Sequence, residues 1–69
     1  MITIANCSTL DEAVGLRALL EANGIPAFIP DEMAAAVLPH HFVTKSGIRL
    51  QVSDEDADEA RLIVGRQRS

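Results

Sequence analysis

The tetrapeptide Asn23-Gly24-Ile25-Pro26 forces a change of backbone conformation a third of the way along the chain. Gly24 is able to take the left-handed conformation that closes a helix. Pro26 holds Ile25 out of helical backbone and forbids continuation. The chain before this point is therefore read as a helix that stops, and the chain after it as extended.

The preceding residues fit that reading. Ala13, Leu16 and Leu20 recur at helical spacing, with Leu19 on the flank. Thr9 and Glu12 have the spacing of a capping box, and Asp11 and Glu12 suit the positive end of the helix dipole. This predicts a helix over 9–23. Ahead of it, residues 1–6 alternate, with Ile2 and Ile4 on one face and Thr3 and Ala5 on the other, which predicts a first strand. After the stop, the short apolar run between Pro26 and Pro30 predicts a second strand over 27–29. Ile48, Leu50 and Val52 alternate with Arg49 and Gln51, which predicts a third strand over 48–52. Ser53, with Asp56 three residues on, is placed to cap a last helix over 54–66. That helix has a stripe of Ala57, Ala60, Ile63 and Val64, acids in its first half, and Arg61 and Arg66 later. Residues 67–69 are expected to fray.

Residues 31–47 form a long connection for so small a chain. Asp31 is placed to cap a short helix through Glu32, Met33 and Ala34 to Ala36, stopped before Pro39. His40-His41, Phe42-Val43-Thr44 and a Lys45-Ser46-Gly47 turn follow.

A strand–helix–strand unit crosses over with a fixed hand, so helix one covers one face of the sheet. The long connection lets strand three insert between strands one and two, antiparallel to both. The expected fold is α+β: a ferredoxin-like split β-α-β of βαββα order, with a three-stranded antiparallel sheet of order 1-3-2 and two helices on one face. The other face, carrying Thr3, Arg49 and Gln51, stays open unless residues 31–47 or a second chain cover it.

Sixty-nine residues make one domain, 1–69, with a thin core. A hydrophobic fraction of 48% argues against disorder. Phe28 and Phe42 are the only aromatics, so stacking platforms for single-stranded nucleic acid are lacking. A net charge of −4 speaks against phosphate backbones and anionic membranes. No apolar run approaches the ~20 residues of a membrane span, and Met1-Ile2-Thr3-Ile4 does not open a signal peptide. The single Cys7 forms no internal disulfide. These absences point to the cytoplasm.

The chain resembles a small prokaryotic family of unknown function described as "putative signal-transducing protein". The likeness rests on the first strand, on Asp11-Glu12-Ala13, and on Leu19-Leu20-Glu21-Ala22-Asn23-Gly24-Ile25-Pro26-Ala27. It continues in Gly47-Ile48-Arg49-Leu50-Gln51-Val52, and in Glu55-Asp56-Ala57 with Ala60. It covers nearly the whole chain. These motifs are helix ends and core strands, so they specify a fold more than a function. The resemblance implies a ferredoxin-like fold akin to nitrogen-regulatory PII-type signalling domains, and a bacterial signalling role by analogy. It supplies no catalytic motif. The chain departs from the family pattern at residues 33–37 and at its His pair.

Candidate chemistry is sparse. Cys7 precedes helix one, where a thiol can be activated, but Asp11 and Glu12 oppose the thiolate. It reads as a small buried or half-buried residue. His40 and His41, adjacent in extended chain, point to opposite faces and do not easily grip one ion. They read as a solvated, pH-responsive pair. The run from Asp54 to Glu59 lacks the glycine and spacing of a calcium loop and reads as capping plus a solvated face. A phosphate site at the start of helix one would meet two carboxylates and no glycine. No catalytic residue, cofactor or metal site is expected, and the chain is not read as an enzyme.

Met33, Val37, Leu38, His40, His41 and Phe42 form the candidate partner surface. Their apolar members must cover the domain's own sheet or meet another molecule. The expected function is a non-enzymatic protein-interaction or regulatory module with a protein partner or a homodimer, and no nucleic acid or membrane. The alternative is a small-ligand or metal sensor using His40/His41 or the N-terminus of helix one.

Overall fold

The computed structural model describes residues 1–33 and 47–68. Its elements, in order, are strand β1 (Ile2–Cys7), helix α1 (Leu10–Ala22), strand β2 (Ala27–Phe28), strand β3 (Ile48–Val52), a 3-10 turn (Asp54–Asp56) and helix α2 (Ala57–Arg68). The three strands form one sheet of order β1-β3-β2, with β3 antiparallel to both neighbours. The fold is the expected α+β arrangement.

Strand β1 departs from simple alternation. Ile2 and Thr3 pair with Val52 and Gln51, whereas Ala5, Asn6 and Cys7 pair with Leu50, Arg49 and Ile48, leaving Ile4 as an extra residue. This is a β-bulge. The expected faces, Ile2 with Ile4 and Thr3 with Ala5, are therefore corrected beyond the bulge. Ala5 and Cys7 lie in the core, and Ile4 packs at its margin. The physical reason is Asn6. Strict alternation from Ile2 would carry its amide into the core, and an amide buried without partners costs several kcal/mol on the order of a lost hydrogen bond or more. The extra residue resets the phase and leaves Asn6 exposed.

Helix α1 starts as its sequence predicts. Glu12 donates its backbone N–H to Thr9 Oγ1 at 3.2 Å, and Ser8 donates its N–H to Glu12 Oε2 at 3.2 Å. The carboxylate thus reaches back one residue further than an ideal capping box. At the other end Ile25 donates to the Leu20 carbonyl (2.9 Å) and Gly24 to that of Glu21 (3.0 Å), with Gly24 at φ 81°. This is a Schellman closure, and its two apolar members, Leu20 and Ile25, are both buried.

Helix α2 begins differently from expectation. Ser53 makes no side-chain bond to the backbone; its hydroxyl donates to Asp56 Oδ2 at 3.0 Å, and the chain enters through the 3-10 turn. Asp56 N–H reaches the Ser53 carbonyl instead. The helix then runs through Gln67, which was expected to fray.

One face of the sheet carries Ala5, Cys7, Ala27, Ile48, Leu50 and Val52 into a single cluster with Ala13, Leu16 and Leu20 of α1 and Ala57, Ala60, Ile63 and Val64 of α2. Ile29, just past β2, joins this core without extending the ladder.

Candidate functional site

The register builds the opposite face in rows. Thr3, Gln51 and Phe28 stand directly across the three strands, because Gln51 pairs with both of the others. Gln51 Nε2 donates to Thr3 Oγ1 at 3.0 Å, so the β1 half of the row is internally satisfied. Phe28 ends the row on β2 and is 54% exposed, while its neighbours Ala27 and Ile29 are buried. An aromatic ring of this size left half in water is the uncommon observation on this face.

The next row begins with Asn6 opposite Arg49. Arg49 donates its backbone N–H to Asp31 Oδ2 at 3.2 Å, and its guanidinium reaches both oxygens, Nε to Oδ2 at 3.2 Å and Nη2 to Oδ1 at 3.1 Å. Strand β2 has stopped two residues before this point. The Asp31 carboxylate takes up the N–H that a longer β2 ladder would have met. The short helix that Asp31 is expected to cap lies mostly outside the described residues; within them, both Asp31 oxygens are engaged by Arg49. Glu32 and Met33 do begin a helical turn.

Glu32 is held from the other side of the sheet. Arg17 of α1 donates Nη1 to its Oε1 at 3.0 Å and Nη2 to its Oε2 at 3.1 Å, a two-pronged pair. Consecutive acids after Pro30 are thus gripped by arginines from opposite faces, which fixes where the chain leaves β2. Hydrogen bonds from Arg49 hold the Asp31 carboxyl below its ordinary range, and those from Arg17 do the same for Glu32.

A carboxylate with a depressed folded-state pKa stabilises above its unfolded pKa and loses that contribution as pH falls through the folded value. Both contributions are therefore present at neutral pH and disappear below about pH 4. Thermal melts from pH 7 to pH 3, read as ordinary steps of pH, should show a shallower acid limb for an Asp31→Asn/Glu32→Gln variant than for the parent. Partial exposure keeps the effect modest, and added salt should shrink it. Identical acid limbs would show that the two clamps contribute nothing to folding.

The charges are partitioned. Of the ten acidic residues, eight lie on α1, the 3-10 turn and α2: Asp11, Glu12, Glu21, Asp54, Glu55, Asp56, Asp58 and Glu59. The remaining two are the arginine-clamped Asp31 and Glu32. No unclamped acid stands on the open face among the described residues.

Met33 is 80% exposed at the end of the clamped turn. The other predicted surface residues, Val37, Leu38, His40, His41 and Phe42, lie outside the described residues. Cys7 is buried at the end of β1. The start of α1 has its Ser8 and Glu12 N–H groups occupied by the chain's own side chains, which leaves less to offer an anion. Among the described residues no group of three or more His, Cys, Asp and Glu comes together. A shallow groove between α1 and the end of α2, lined by Glu12, Gly15, Leu16, Ala18, Leu19 and Gln67, contains one ionisable side chain. No described helix is long and apolar enough to cross a membrane.

The residues missed from sequence are Phe28 and the two clamps. Phe28 had a readable signal, since an inward Ala27 and Ile29 make it point outward. The clamps had none, because each joins residues 15 or 18 positions apart.

No curated protein and no solved structure matches the chain. The model of the family described as "Putative prokaryotic signal transducing protein" matches residues 1–67, and the chain belongs to that family.

Proposed function

We propose that this domain is a non-enzymatic protein-interaction module of a regulatory kind, acting in the cytoplasm and binding a protein through the open face of its sheet. The observation that carries this reading is Phe28. It stands 54% exposed on a face whose other described groups are already hydrogen-bonded or ion-paired within the domain, or are neutral. Burying the exposed half of this ring in a partner would contribute about 1–1.5 kcal/mol, roughly half the value for a fully exposed side chain. The family description supports a signalling context.

Site-specific photo-crosslinking in the producing cell tests it. A benzophenone amino acid at position 28 should give a discrete protein adduct. The same probe at Leu62, exposed on α2, should not. Equal labelling from both positions, or none from position 28, would count against the open face as an interaction surface.

A further inference from the structure

We infer that the occupant of the open face is a second copy of this chain, packed face to face about a two-fold axis. The inference rests on the reading of that face as an interaction surface, and it names the partner.

Charge selects among partners. A chain with a net charge of −4 repels its own copy wherever its acids meet. Eight of its ten acids lie on the helices and the 3-10 turn, away from the open face. The face itself carries Thr3, Asn6, Gln51 and Phe28, which are neutral, and the Arg49–Asp31 pair, which is internally balanced. Among the described residues it is the surface where two such chains can approach with least repulsion. A basic partner would be drawn to the acidic helix layer instead. An acidic partner would find Arg49 already taken by Asp31.

Self-complementarity points the same way. A two-fold interface must match each donor with an acceptor on the same patch. Amides at Asn6 and Gln51 offer both, and the Arg49–Asp31 pair adds no net charge for a copy to oppose. The sheet edges are poorer routes to association. The bulge at Ile4 disturbs the β1 edge, and β2 has only two ladder residues between Pro26 and Pro30.

The size of the face sets the strength. Strands of six, two and five residues present at most roughly 15 Å by 15 Å. That is far below the ~800 Å² per partner of a standard stable interface. The dimer is therefore weak and reversible.

Sedimentation velocity on the full chain from about 20 µM to about 1 mM reads this directly. The weight-average sedimentation coefficient should rise with concentration for the parent and for Leu62→Asp. It should stay at the monomer value for Phe28→Asp. Asn6→Asp adds an acid to the face and should also weaken association, with added salt restoring it. Both substituted side chains are exposed, so melts near the parent's are expected, and Asn6→Asp alone carries the test if Phe28→Asp melts early. A parent that stays monomeric to about 1 mM, or association lost in Leu62→Asp and kept in Phe28→Asp, overturns the proposal. The crosslink from position 28 separates the two readings. An adduct of twice the chain's mass supports self-association. An adduct with a different protein overturns it while leaving the interaction module standing. No adduct removes both.

Discussion

Leu50→Ala is expected to lower stability by about 2–5 kcal/mol, toward the upper part of that range. Leu50 is fully buried at the middle of the central strand. Its cross-strand partner on β1 is Ala5, and Ala27 of β2 pairs with Val52, two residues along β3. These two alanines are too small to swing into the space a truncated side chain leaves. The buried residues of the described core include no aromatic ring that could tilt to fill it. The cavity would therefore persist, and cavity volume is what sets the cost of such truncations. A domain of this size has roughly 3–10 kcal/mol of stability in total. The variant should lose at least about 10 °C in Tm, given about 4–8 °C per kcal/mol for a small domain. Urea and thermal unfolding followed by circular dichroism measure it. A loss under about 1 kcal/mol would mean that the core repacks far more freely than close-packed interiors do.

The parts of this fold legible in the sequence are those fixed by short-range chemistry. Thr9 and Glu12 announce the start of α1 because the groups they satisfy lie within one turn. Asn23-Gly24-Ile25-Pro26 announces its end for the same reason. Ile48, Leu50 and Val52 announce β3 because alternation is a property of five consecutive residues. The sheet order followed from those elements together with the handedness of crossovers and the long stretch before β3. What escaped depends on registration between distant segments. The bulge at Ile4 exists because β1 must present Ala5 and Cys7, not Asn6, to the core behind Leu50 and Ile48. Within residues 1–6 only Asn6 disfavours unbroken alternation, and nothing there says at which residue the phase is reset. Asp31 and Glu32 read as helix-starting acids until β2 is known to stop at Phe28, which brings Arg49 alongside the one and Arg17 alongside the other. The site was legible only in part. The open face carries Thr3, Arg49 and Gln51, but the row that ends in Phe28 needed the pairing of Gln51 with both edge strands.

Gly47 makes the second large prediction, and Gly24 supplies its control. Both glycines have positive φ, 78° and 81°, in the left-handed region where an L side chain costs roughly 1–2 kcal/mol. They differ in surroundings. A Cβ at Gly24 would meet nothing within 4 Å, whereas one at Gly47 would sit 2.7 Å from the backbone oxygen of Cys7. That oxygen belongs to β1, whose Cys7 pairs with Ile48, the residue immediately after Gly47. Relieving the overlap means moving one strand relative to the other at the end of the ladder where β3 begins. Gly24→Ala should therefore cost about 1 kcal/mol, from backbone conformation alone. Gly47→Ala should cost about 3 kcal/mol or more, because steric overlap with backbone adds to the same conformational term. Parallel urea titrations of the two variants isolate the difference, with equal slopes showing that the same cooperative unit unfolds. Equal losses in the two variants would mean that β1 and β3 separate at that end at little cost, and that Cys7 and Ile48 do not form the firm end of the sheet.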